Sequence, residues 1–249
     1  MEKKEALYKF WKTNINYYKM IQEDSHKKDV QLHKSALTSF VKEGRVLDVA
    51  CGACEIRKFL NKKIKYYGID VSDAAIKEGK KLFKDAKLFN GDVENLPFKD
   101  GFFDYVLCLY SFEHFLNPKK VMLEMARVLK REGLLIMAAP SHDNIFNIPE
   151  SLKMQLTTRG KKYRYYIKRA IKYFDREYNP QIVTEPDVLK YPYHSDNDLT
   201  HVVTILETLK ILEEVKMEVV FLKTENHWYN RWFMRYWNMP LFVVAKKMY

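Results

Sequence analysis

The sequence predicts an open α/β fold built on a mostly parallel sheet, and three observations carry the prediction. The first is the stretch Arg45-Val46-Leu47-Asp48-Val49-Ala50-Cys51-Gly52-Ala53-Cys54-Glu55. Its short apolar run (Val46, Leu47, Val49) reads as a buried parallel strand. Asp48 interrupts that run near its carboxyl end, small residues turn the chain, and a helical stretch follows from Glu55 to Leu60. Strand, tight turn and helix in this order let a ligand approach backbone amides at a helix N-terminus. The second observation is Tyr66-Tyr67-Gly68-Ile69-Asp70, another apolar strand ending in an acid. It lies about twenty residues past Asp48, the spacing at which such folds set a carboxylate on ribose hydroxyls. The third is the alternation of strand and helix from Arg45 to Ala139. The glycines of a dinucleotide fingerprint are only partly kept: Ala50 and Cys54 take two of their places and Gly52 remains.

The elements follow in order. Residues 3–21 read as an amphipathic helix, with Leu7, Phe10, Trp11, Ile15 and Tyr18 at helical spacing. Its apolar side is expected to pack on the sheet; Trp11 or Tyr17 covering a ligand is the alternative. A second helix, about 27–42, ends before Gly44, a plausible cap. Ser72-Asp73 can cap the helix after the second strand, whose tail from Lys77 to Lys84 is basic as suits a helix C-terminus. Lys87 to Phe89 is a short third strand, and Phe103 to Cys108 the fourth. Asn117-Pro118 opens a helix to Leu129 with proline at its first position. Gly133 stops that helix, and Leu134 to Ala139 is the fifth strand, closed by Pro140. Then the pattern breaks. Residues 141–196 hold Pro149, Pro180, Pro186 and Pro192 around one helix-like stretch, Lys161 to Glu177. Asp198 to Glu214 reads as a helix, and Met217 to Lys223 and Met239 to Lys246 as closing strands.

In order and spacing, the strand ends at Asp48, Asp70 and Asn90-Gly91-Asp92-Val93, with Phe103 to Cys108 and Val128 to Ile136, make residues 45–140 resemble the class I S-adenosylmethionine-dependent methyltransferases. They are most like the small-molecule branch that includes ubiquinone and menaquinone biosynthesis enzymes. The resemblance implies a Rossmann-like, seven-stranded sheet, mostly parallel with an antiparallel last strand, helices on both faces and a helical lid after the fifth strand. It also implies one domain: cap helices over 1–44, a cofactor core over 45–144, an acceptor lid over 145–216 and closing strands over 217–249.

S-adenosylmethionine is then the expected cofactor. Asp48 would orient the turn near the methionine ammonium, and backbone from Ala50 through Cys51 to Gly52 would pass beside the amino-acid portion. Asp70 would accept both ribose hydroxyls, a task suited to a two-oxygen carboxylate. Asp92 would accept from the adenine amine, with Val93 donating its amide, and Val71 and Leu109 complete the expected set. Past the fourth strand stands Tyr110-Ser111-Phe112-Glu113-His114. His114, with Glu113, is the expected catalytic pair, because a histidine titrates where general-base work near neutrality needs it. Loop-internal hydrogen bonding is the structural alternative. Ubiquinone-type O-methyltransferases hold a divalent metal with a further acid three residues before the glutamate; Tyr110 stands there, so no metal is expected.

Composition sets the bounds. At 249 residues and 47% hydrophobic content the chain can bury a substantial core. No apolar run is long enough for a transmembrane helix, and the N-terminus lacks a signal-peptide pattern, so a cytoplasmic protein is expected. Three cysteines make no disulfide framework. Cys51 and Cys54 form a Cys-x-x-Cys pair without a partnering Cys/His pair, which favours small-residue substitution in a cofactor loop over a zinc or redox site. A net charge of +11 favours anionic partners or reflects solvated lysines.

Arg159 to Arg176 carries eight basic residues against Asp175 alone, with Tyr166, Ile167, Ala170, Ile171 and Phe174 as an apolar stripe. The stripe would dock on the core as Arg164 and Arg169 face the acceptor; a membrane-surface helix is the alternative. Tyr110 and His142 join these arginines as acceptor-binding candidates, with Asp143 and His194 further off. The expected activity is O-methylation of a small anionic acceptor, phosphorylated or sugar-linked. Its rivals are a quinone or lipid methyltransferase with peripheral membrane contact, a tRNA or rRNA methyltransferase, and a cofactor-binding protein without catalysis.

Overall fold

The computed structural model describes residues 2–14, 16, 37–141, 156–172, 174, 177–182, 198–223 and 240–249. In chain order the elements are α1 (Glu2–Thr13), β1 (Gly44–Val49), β2 (Ile64–Asp70), α2 (Asp73–Leu82), β3 (Lys87–Asn90), β4 (Phe103–Leu109), α3 (Pro118–Val128) and β5 (Leu129–Pro140). There follow α4 (Arg159–Lys172), β6 (Gln181–Ile182), β7 (His201–Val202), α5 (Ile205–Glu214), β8 (Met217–Lys223) and β9 (Pro240–Lys247).

Seven strands form one sheet in the order β3-β2-β1-β4-β5-β9-β8, and β6 pairs with β7 separately. β1 to β5 run parallel, and β9 lies antiparallel between β5 and β8. The order reverses between β1 and β4, and beyond the carboxyl ends of such a pair open α/β sheets place ligands.

Alternate side chains build a core on each face. Leu47, Val49, Ile69, Val106, Leu135, Met137 and Val243 meet Val121, Met122 and Met125 of α3 and Ile211 and Leu212 of α5. Val46, Tyr66, Leu107, Ile136, Phe242 and Val244 meet Leu37, Val41, Leu60, Ile76 and Leu88 on the other side. Both faces are covered, so the parallel strands carry near-continuous apolar runs.

The caps read from the sequence form. Ser72 Oγ accepts from the Ala75 amide at 3.3 Å, and Asn117 Oδ1 from the Lys120 amide at 3.1 Å. Other boundaries move for identifiable reasons. The stretch after the first turn is a 3₁₀ helix, Glu55–Phe59. Of the second predicted helix 37–42 lies in the described part; 37–40 is helical, the helix ends before Val41, and Gly44 opens β1 instead of capping it. α3 ends at Val128, and β5 starts at once, because Gly101 and Phe102 donate to the carbonyls of Arg127 and Val128 at 3.0 and 2.8 Å. The helix expected from Asp198 begins only at Ile205. There Thr204 Oγ1 accepts from the Glu207 amide at 3.2 Å, while Thr200 and His201 are drawn into tertiary pairings.

Candidate active site

The carboxyl ends of β1 to β4 open onto a cavity of about 1020 Å³, counting the space at its mouth. Each wall follows from one strand end. After β1 come Ala50 and Gly52; after β2, Asp70, Val71, Ser72 and Ala75; after β3, Gly91 to Glu94. After β4 come Tyr110, Ser111 and the His114 to Leu116 turn, and α1 supplies Tyr8, Trp11 and Asn14. Ala50 and Tyr110, the turning residues of the two strands at the order reversal, both take the left-handed conformation, with φ of 55° and 54°. Non-glycine residues held there cost on the order of 1 kcal/mol or more, and such strain gathers at functional sites. Gly52 shares it at φ 53°, with open space where a side chain would stand, so its backbone is bare toward the cavity.

Asp70 ties the floor together. Its carboxylate accepts the Gly52 amide at 2.9 Å and the Ser72 amide at 2.8 Å. Burial pushes its pKa up, against the pull of those amides. Each carboxylate oxygen accepts more than one hydrogen bond, so the group keeps capacity for a ligand's hydroxyls. Asp92 Oδ1 accepts the Glu94 amide at 2.8 Å, and the Tyr8 hydroxyl donates to the same carboxylate.

Asp48 lies on the other side of the floor. It is buried, shares a sheet face with Val46, accepts the Tyr66 hydroxyl and does not line the cavity. Burial pushes its pKa up to about 7; the Tyr66 hydrogen bond opposes this and the Asp70 charge adds to it. The Cys51 amide donates to the Ile69 carbonyl at 3.1 Å, fixing the loop to β2. Its side chain turns under the loop to face Cys54, with the two Sγ atoms 3.5 Å apart. Burial pushes the Cys51 thiol well above its usual value, the reverse of what a reactive thiolate needs. Leu109 packs into the core beneath the turn. No cluster of three His, Cys, Asp or Glu suited to a metal exists among the described residues.

The part of the cavity beyond β4 centres on His114. Its Nδ1 lies 3.1 Å from Asp198 Oδ1, and its Nε2 lies 3.8 Å from Glu113 Oε1. Burial alone would push the imidazole pKa down; the Asp198 charge and hydrogen bond, with the Glu113 charge, outweigh it and hold the pKa at about 10. With its pKa raised and Nδ1 engaged by Asp198, His114 favours a protonated, donating role over the general base expected from the sequence. Glu113 is buried behind it, and its carbonyl accepts the Thr200 amide at 3.0 Å. Trp11 Nε1 donates to Asp198 Oδ2 at 2.6 Å, so α1 closes over the cavity at both ends, through Tyr8 on Asp92 and Trp11 on Asp198.

Of the sequence-predicted residues, the cavity brings together Ala50, Gly52, Asp70, Val71, Asp92, Val93, Tyr110 and His114. Asp48, Cys51, Leu109 and Glu113 stand behind its wall. Arg164 lies exposed on α4 and does not line the cavity. Arg169 belongs to the same helix, and its side chain lies outside the described part, as do Tyr17, His142, Asp143 and His194. Sequence reasoning missed Tyr8, Asn14, Glu94, Ser111 and Asp198. Asp198 carried one signal, an acid before an apolar helical run, and that signal reads as a helix cap.

The described lining contains Asp70, Asp92, Glu94 and Asp198, and neither lysine nor arginine. That charge suits a ligand bearing a sulfonium and an ammonium, and the bare Gly52 backbone and the Asp70 carboxylate suit its amino-acid and ribose parts. The donor set fits S-adenosylmethionine. Among the described residues the lining offers no cation to an anionic acceptor, and Arg164, one of the arginines that suggested one, stands outside the cavity.

Residues 47–137 match the model of a methyltransferase domain family. The demethylmenaquinone methyltransferase of Thermotoga maritima is 32% identical over 127 residues, 50% of this chain and 51% of that protein. The demethylmenaquinone methyltransferase of Listeria welshimeri is 32% identical over 155 residues, 57% of this chain and 66% of that protein. The chain thus spans about half the length of the first of these relatives. Among solved structures, the 1,6-didemethyltoxoflavin-N1-methyltransferase of Burkholderia thailandensis aligns with a TM-score of 0.62 at 12% identity, covering 94% of this chain and 84% of its own. Strand order, cavity position and these matches agree: residues 47–137 carry a methyltransferase domain of the S-adenosylmethionine-dependent kind.

Proposed function

We propose that the protein transfers the methyl group of S-adenosylmethionine to an uncharged, ring-bearing apolar acceptor of the quinone class, taken in its reduced, hydroxyl-bearing form. The single observation that carries the reading is the cavity lining, aromatic and aliphatic at its acceptor end and without lysine or arginine among the described residues. The names of the relatives from Thermotoga maritima and Listeria welshimeri, which refer to demethylmenaquinone, support the same acceptor class.

The cofactor supplies an already activated methyl group, and the chain supplies alignment and charge. In this reading Asp70 receives the ribose hydroxyls, Asp92 and Val93 meet the adenine, and the Ala50–Gly52 backbone follows the amino-acid portion. Trp11, Tyr110 and Phe115 sandwich the acceptor ring. His114, with Nδ1 engaged by Asp198, turns Nε2 to donate to the ring oxygen. A cationic donor there favours the deprotonated acceptor, the better nucleophile, so the acceptor proton leaves to solvent and not to His114. Glu113 and Asp198 act through His114 as positioning residues.

The test is methyl transfer to a matched panel, read as S-adenosylhomocysteine released. Turnover is expected with a reduced naphthoquinone bearing an isoprenoid chain and not with phosphorylated phenols or sugars. NMR of the product places the methyl on ring oxygen, the sequence-based expectation, or on ring carbon. Turnover confined to the phosphorylated members would overturn the reading.

A further inference from the structure

The apolar stripe of α4 faces away from the core. Tyr165 is buried and, with Leu156 and Tyr166, packs on Leu199 and Val202. The stripe itself stays exposed: Tyr163 by 69%, Ile167 by 42%, Ile171 by 64% and Phe174, just past the helix, by 87%. These residues recur three or four apart and so share one helix face. Gly160 and Ala170 lie on that face too, and both are exposed. Arg159 and Arg164 border it, and Lys161, Lys162 and Lys168 are exposed nearby. Between Arg159 and Lys172 there is no acid.

We infer that this face docks on an anionic lipid bilayer, with its aromatic and aliphatic side chains in the headgroup–acyl boundary and its cations on lipid phosphates. Three features single out that occupant. An exposed apolar stripe bordered by cations and free of acids is the pattern of a helix lying in a membrane interface. Cations bordering an apolar face are drawn to the phosphates of an anionic surface and held there. The inner side of α4 packs on Leu199, the neighbour of the cavity-lining Asp198, so the exposed face belongs to an element seated next to the cavity. A chain-bearing quinol partitions into a bilayer, and an enzyme seated on it meets that acceptor where it is concentrated.

The inference deepens the quinone-class reading and rests on it for its purpose, whereas its test needs no turnover, so the two can fail separately. The full chain is sedimented with vesicles of phosphatidylcholine alone and of phosphatidylcholine mixed with phosphatidylglycerol. Wild type is expected to bind the anionic vesicles, more weakly as salt rises, and to leave the neutral ones in suspension. Ile167→Glu with Ile171→Glu should lose about tenfold or more of that binding, because both side chains would carry charge into the boundary. Lys161→Glu with Lys162→Glu, which leaves the apolar residues alone, should lose about as much. Unchanged circular dichroism and S-adenosylhomocysteine affinity in both variants show that the fold is kept. Wild type that ignores anionic vesicles, whether or not it self-associates or binds RNA, overturns the inference. So does vesicle binding that neither double variant weakens.

Discussion

His114 keeps its proton because Asp198 lies 3.1 Å from Nδ1 and outweighs the burial that would strip it. A histidine whose folded pKa is raised stabilises the native state most below its ordinary value of about 6.5, and that contribution fades as pH climbs. Here it is lost toward a pH of about 10. NMR of the ring should therefore show His114 titrating far above neutrality. Asp198→Asn should bring the midpoint down and flatten the fall in melting temperature over the alkaline range. A midpoint that stays high in Asp198→Asn would mean that another group holds the proton. Sequence placed His114 at the site but not its charge, since its partner lies 84 residues further along the chain. Asp48 had the same fate in reverse. Its position was legible, yet strand alternation turns it to the face of Val46 and under the floor.

Among the elements, the strands were the most legible, because the buried runs of β1 and β2 end at the cavity edge in a small turning residue, Ala50, and an acid, Asp70. The helices were legible in register and less so in what they touch. The stripe of α1 buries Leu7 and Phe10, as its periodicity requires, while Tyr8 and Trp11 reach acids on distant segments. Trp11 and Asp198 are 187 residues apart, a pairing that local pattern cannot carry. α5 starts late for a related reason: hydrogen bonds from Thr200 to the His114 turn override an apolar periodicity that runs on through it. α4 inverts its reading, docking through Tyr165 and leaving the longer stripe outside. The closure by α1 is testable. Hydrogen bonds to charged groups contribute about 1.5–3 kcal/mol each, so Tyr8→Phe with Trp11→Phe should cost roughly tenfold or more in cofactor affinity. Amide exchange across α1 should quicken as well. Exchange and affinity that both match wild type would show that α1 packs there without closing the site.

On the scale of the whole molecule, the charge is divided. The chain carries +11, while the described cavity lining holds acids and one histidine. Net charge pointed to an anionic acceptor, and part of the basic excess that gave that reading is gathered on α4. Among the described residues no helix is long and apolar enough to cross a membrane. The match to a methyltransferase domain runs from β1 to β5, and the carboxyl ends of β1 to β4 bound the cavity. The account depends above all on Asp70, where β2 ends and the Gly52 and Ser72 amides converge. Calorimetric titration of S-adenosylmethionine into wild type and Asp70→Ala tests it most directly. Wild type should bind at one site, and a folded Asp70→Ala should bind roughly ten- to a hundredfold more weakly, the loss expected when charged hydrogen bonds to the ribose disappear. Equal affinity in the two proteins, or no binding by wild type, would contradict the account.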